Sequence, residues 1–128
     1  MSPLFRAAPV LLAGLLLAGP VLADPTAGEL DFLVNQAKPA WLRQVEAKGA
    51  KLEPVVVAMS LQPDGKIEAA RLATDEKRYD RDPQFRIVAD AAVRSLLLAS
   101  PLTPPAGHPE FFRNNPQITI TFDPRSMR

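Results

Sequence analysis

The sequence predicts an α+β fold: a three-stranded antiparallel sheet of order 2-1-3, packed on one long helix and a short N-terminal helical region. Three observations carry this. Two β-branched stretches, Glu53 to Gln62 and Gln117 to Pro124, alternate apolar and polar residues in strand fashion. The run from Pro83 to Ser100 repeats its apolar residues at helical spacing. Pro63-Asp64-Gly65 stands directly after the first β-like stretch, where a hairpin turn belongs.

The chain opens with MSPLFRAAPVLLAGLLLAGPVLA, which has one cation at Arg6, an apolar run from Ala7 to Leu17, and small or apolar residues at Val21 and Ala23. It reads as a secretory signal peptide cut between Ala23 and Asp24. A spanning anchor wants about 20 unbroken apolar residues, and an uncleaved anchor is the competing reading. Residues 24–128 are then expected to form one periplasmic domain. The chain has no Cys, so neither lipid attachment through a lipobox nor a disulfide is available, and the core alone must hold the fold. Without Arg6, 14 cations face 14 carboxylates. That balance disfavours nucleic acid or an anionic membrane surface as partner; membrane association is expected only if the N-terminus stays uncleaved.

In ELDFLVNQAK, Leu30, Leu33 and Val34 share one helical face. Pro39 interrupts, and AWLRQVEAKG restarts a helix with Pro39 at its first position. Trp41, Leu42 and Val45 form its apolar stripe, and Gly49 sits where a helix end wants positive φ. In EPVVVAMSLQ, Val55, Val57, Met59 and Leu61 lie on one side, with Val56, Ala58 and Ser60 on the other. The segment Lys66 to Thr74 is less regular: Ile67 and Ala69 share a face with Arg71, while Leu72 lies opposite. A bulge near Ala70 would restore the alternation, and a short helix is the alternative.

DEKRYDRD, Asp75 to Asp82, reads as a charged, solvated loop, or as a partner-docking loop around Tyr79. Asp82-Pro83 is a helix start, because the carboxylate can cap free N–H groups and Pro fits the first position. Phe85, Val88, Ala92, Leu96 and Ala99 form the stripe of the long helix, widened by Ala89, Val93 and Leu97. Arg86, Asp90 and Arg94 are spaced for mutual pairing on the other side. PLTPPAGHP is a proline-stiffened connector, and EFFRN makes a single turn. In QITITFDP, Ile118, Ile120 and Phe122 point inward and Gln117, Thr119 and Thr121 outward. Strand one pairs with both others, so strand three is left as an edge unless the N-terminal helices or the tail cover it.

Little in the chain suggests catalysis. One His, no Cys, no phosphate loop and no nucleophile beside a base are present. A lone His108 in a Pro-rich loop makes neither a metal site nor a triad. The expectation is a protein that is not an enzyme, without cofactor, metal or small-molecule substrate. Trp41 is expected to pack over the sheet, with a partner contact as the alternative. The alternating third strand can accept another chain's strand by main-chain hydrogen bonding.

Taken in order, the Leu-x-Pro-Asp-Gly hairpin at Leu61 to Gly65, the Asp82-Pro83-x-Phe85 helix start, the Ala92 to Pro101 helix end and the closing Ile-Thr-Phe-Asp-Pro at Ile120 to Pro124 resemble the C-terminal domain of TolA, within the wider TonB/TolA C-terminal superfamily. The likeness spans residues 30–126. The Tyr-Pro element of the TonB domain is missing, since Tyr79 is followed by Asp80. Where many TolA domains carry a Cys pair, the matching positions are Ala40 and Ala99. TolA's inner-membrane helix and periplasmic rod have no counterpart in this sequence.

The resemblance implies a free periplasmic module that binds cell-envelope proteins of the Tol-Pal type, and in relatives phage and colicin segments as well. The residues expected to carry binding are Gln117, Ile118, Thr119, Ile120, Thr121 and Phe122, with Tyr79 and Trp41 as secondary contacts. Two alternatives stand beside it: a self-associating structural or accessory envelope protein, and a TonB-like energy-transducer fragment with an uncleaved N-terminal anchor.

Overall fold

The computed structural model describes residues 24–126, so the expected leader and its cleavage residue Ala23 lie outside the described residues. Helix α1 (Ala27–Asn35) begins with a capping box. Thr26 Oγ1 accepts from the Glu29 amide at 3.1 Å and Glu29 Oε1 accepts from the Thr26 amide at 2.9 Å, satisfying two otherwise orphaned donors. Its Leu33 and Val34 are buried, as the spacing predicts. Helix α2 (Lys38–Ala47) starts one residue before Pro39, which sits in the first turn where no N–H is missed. Trp41 and Val45 go fully into the core, and Gly49 ends the turn at φ +67°.

The sheet order is β2-β1-β3, all antiparallel. Strand β1 (Val55–Leu61) alternates buried and half-buried residues along its whole length. Strand β2 (Ile67–Leu72) is a strand rather than a helix, and its irregularity lies at Glu68, not Ala70: Ser60 pairs with Ala69 and Leu61 with Ile67. A bulge beside the turn lets Ile67, Ala70 and Leu72 share the helix-facing side while Arg71 points away. The turn itself is fastened from below. Gly65, at φ +92°, accepts from the Leu102 amide at 2.8 Å, and Ser100 Oγ accepts from the Ile67 amide at 2.9 Å.

The charged stretch after β2 differs from expectation. Glu76–Arg81 is a short helix, α3, entered through Asp75 at φ +62°. Glu76 in its first turn and Arg78 and Arg81 in its last complement the helix dipole. Its C-terminal carbonyls are also taken up: Arg86 donates to the carbonyls of Tyr79 at 3.0 Å and Asp80 at 2.9 Å. Arg78 bonds Glu53 at 2.6 Å and lies 4.5 Å over the Phe85 ring. Of these partners Glu53 alone is remote in sequence; Phe85 and Arg86 stand just beyond α3.

Helix α4 (Pro83–Ala99) starts as read. Asp82 Oδ1 accepts from the amides of Gln84 at 3.0 Å and Phe85 at 3.2 Å. These backbone bonds, followed by Arg78, hold the carboxyl of Asp82 below its ordinary value. Phe85, Val88, Ala89, Ala92 and Leu96 are buried, together with Ala91 and Ser95, because α2 packs on that flank and Gln44 Nε2 donates to Ser95 Oγ at 3.1 Å. Leu97 is 48% exposed instead of widening the core stripe. The expected pairing among Arg86, Asp90 and Arg94 is also replaced, since Arg86 is committed to α3 carbonyls and Asp90 accepts from Tyr79.

The connector is bracketed by Gln36, whose amide donates to and accepts from the backbone of Thr103 at 2.8 Å each. The turn α5 (Phe111–Asn114) buries Phe111 and Phe112 in an edge-on pair. Strand β3 (Gln117–Phe122) follows, with Ile118, Ile120 and Phe122 buried and the intervening residues exposed. Each large side chain buried in this way contributes roughly 1.5–3 kcal/mol, and together they fix β3 to the core by one face only.

Candidate protein-docking edge

The register decides which amides of β3 remain available. β1 pairs Val57 with Ile120, Met59 with Ile118 and Val55 with Phe122, and the Leu61 amide donates to the Pro116 carbonyl at 2.8 Å. In an antiparallel ladder, hydrogen-bonded pairs alternate with non-bonded ones. The bonded set therefore runs through 116, 118, 120 and 122. The main-chain groups of Gln117, Thr119 and Thr121 point away from β1. Among the described residues no backbone hydrogen bond from outside the sheet reaches them.

Those same three residues place their side chains on the sheet face opposite the helices, where all three are exposed. That face also carries Val56, Ala58, Ser60, Ala69 and Arg71. Apart from Arg71 it is small and uncharged. Strand β3 contains no charge, no Pro and no bulge, the devices by which edges are usually made unattractive to other strands. β2, the other edge, has both a bulge at Glu68 and a charge at Arg71.

The two residues expected as secondary contacts fare differently. Trp41 is 0% exposed, donates Nε1–H to the Val88 carbonyl at 3.1 Å, and lies 5.1 Å from the Phe122 ring. A partner contact through Trp41 is incompatible with this packing; its role is to clamp α2 across α4 and the end of β3. Tyr79 is half-buried, with its hydroxyl donating to Asp90 Oδ1 at 2.7 Å and its ring 5.4 Å from the Arg86 guanidinium. The bond to Asp90, then burial, then the Asp90 charge raise the phenol above its ordinary 10.0. Tyr79 does not adjoin β3; it lines a groove on the other side of the sheet.

That groove, of about 610 Å³, lies between the end of β2, α3 and α4. Leu72, Ala89, Val93 and Leu97 supply apolar walls, while Arg71, Arg94, Glu76 and Asp80 supply charges of both signs. Of its lining, only the exposed leucine at the end of α4 had a local sequence signal, the run Leu96-Leu97-Leu98, wider than one buried helical face. Leu98 is 69% exposed. Among the described residues no group of three His, Cys, Asp or Glu side chains is placed to hold a metal, and no helix is long and apolar enough to cross a membrane. His108 is exposed in the connector, 3.7 Å from Glu29. No family model matches the chain, and no curated protein matches it either.

Proposed function

We propose that this chain is a non-enzymatic protein-binding module that pairs an extended segment of a cell-envelope protein along the outer edge of β3. The observation that carries the reading is the set of outward main-chain groups at Gln117, Thr119 and Thr121 on a strand without charge, proline or bulge. Three donors and three acceptors on such an edge can each contribute about 0.5–1.5 kcal/mol net. Because β3 is held by its buried face and by β1, little ordering is required on this side of the complex.

The resemblance to the TolA C-terminal domain supports the class of partner. Its defining segments fall on the hairpin turn, the cap of α4 and β3, the parts that make β1 central and β3 an edge. On this reading the partners are envelope proteins of the Tol-Pal type and the protein works in the periplasm. The test is titration of isotope-labelled protein with synthetic extended segments of Tol-Pal proteins, followed through backbone amide shifts. Perturbation centred on Gln117, Thr119 and Thr121 supports the proposal. Saturating shifts elsewhere with β3 unmoved, or no shifts with any segment, sink it.

A further inference from the structure

We propose that the groove between α3 and α4 is an interface between two copies of this chain, each inserting the exposed leucines at the end of α4 into the other. The occupant is argued from three features of the groove and its rim. Arg94, Leu97 and Leu98 are neighbours on the surface of α4, because residues three and four apart share a helical face. Leu97 lines the groove, and Leu98 beside it is the most exposed large apolar side chain among the described residues. A second copy therefore supplies both a cavity and the apolar knob of suitable chemistry to fill it.

The charges are self-complementary in the manner a two-fold axis requires. Glu76 and Asp80 come to the groove from α3, and Arg94 comes to it from the surface of α4. With the two-fold axis perpendicular to α4 the helices of the two copies run antiparallel, so α3 of one copy faces the Arg94, Leu97 and Leu98 stripe of its partner, and the reverse contact is identical. Among the described residues no ion pair engages Arg94, Glu76, Asp80 or Arg71, so the carboxylates and guanidinium are available for it. Asp90, also at the groove, is committed to Tyr79, and Arg86 to α3 carbonyls. Strand β3 lies at the opposite margin of the sheet from β2 and is not part of this interface, so the dimer presents the edge proposed above twice.

Sedimentation equilibrium of the full chain over a dilution series tests this, with Leu98→Asp, Arg94→Glu, Glu76→Arg, the Arg94→Glu/Glu76→Arg double variant and Thr119→Pro as arms. The dimer is expected to need about tenfold higher concentration to form in each single groove variant, with recovery in the double charge swap. Thr119→Pro should leave association unchanged. A monomer throughout the series overturns the proposal, as does association indifferent to Leu98→Asp and to both charge reversals. Loss of the dimer in Thr119→Pro would place self-association on β3 and overturn it too. The peptide titration of the preceding section reads a different strand, so the two ideas fail separately.

Discussion

Replacing Thr119 by Pro and, separately, Ile120 by Pro separates an edge from a ladder within two adjacent residues. Thr119 directs its N–H away from β1, so a pyrrolidine ring there removes no bond of the sheet. The fold should lose only about 1 kcal/mol, the strain of fixing φ near the proline value in an extended strand. Ile120 directs its N–H into β1 opposite Val57 and its side chain, 1% exposed, into the core. Losing that side chain and orphaning a buried carbonyl should cost about 4 kcal/mol or more. Urea unfolding followed by the fluorescence of Trp41, the only tryptophan, measures both. For binding, Thr119→Pro removes one intermolecular bond and leaves a partner carbonyl facing a ring, about 2 kcal/mol or roughly thirtyfold in Kd. If the two prolines destabilise equally, the assignment of outward amides is wrong. If Thr119→Pro folds and still binds a Tol-Pal segment at full affinity, β3 is not the docking edge.

Three further outcomes follow from the geometry. Gly65→Ala puts a Cβ into the carbonyl oxygen of Leu102 at φ +92° and should cost about 3 kcal/mol, against about 1 kcal/mol for Gly49→Ala, where nothing lies within 4 Å. Equal unfolding midpoints for the two would show that the turn does not rest on Leu102. Tyr79, the sole tyrosine, should ionise above 10.0 in an ultraviolet titration, and Asp90→Asn should bring it back toward that value. Because its native pKa is raised, the stabilisation tied to the neutral phenol is complete below 10.0 and lost as pH rises through the native value; an unchanged midpoint in the variant would exclude the Asp90 bond as cause. Asp82, whose native pKa is lowered, has the opposite sign: its cap stabilises fully above 3.8 and fades as pH falls through the lower native value. Asp82→Ala should therefore lower the unfolding midpoint near neutral pH and converge with the parent in strong acid, and a constant gap at all pH would contradict this.

Much of the fold was readable because its signals are local. The Asp82-Pro83 cap and the alternation in β1 and β3 depend on neighbours within a turn or a strand, the order 2-1-3 follows from how the long helix returns the chain to β1, and the structure has all of them. The edge position of β3 followed from connectivity. What escaped was set by distant partners. Helix α3 is held by Glu53, remote in sequence, and by Phe85 and Arg86 just beyond it on α4, partners that become visible only once α3 is folded back on α4. Ala91 and Ser95 look like the solvent side of α4 until α2 is laid on them. The bulge was expected at Ala70 to rescue alternation, yet the turn places it at Glu68, where the strand leaves Gly65. The groove was the least legible feature, since it is a space between three elements and no single segment encodes it.

The outward groups of β3 belong to the main chain, while the side chains of the same residues leave the sheet in another direction. A survey that truncates Gln117, Thr119 and Thr121 to alanine one at a time would remove none of the main-chain atoms on which the proposed docking depends, and would score the edge as inert even if it binds. The substitutions able to detect it are those that edit the backbone: proline, or an ester in place of an amide. Under the proposed docking mode, the side chains at these positions are free to diversify without disturbing the pairing, so selectivity for one partner over another would be set on the open face while the means of attachment stays constant.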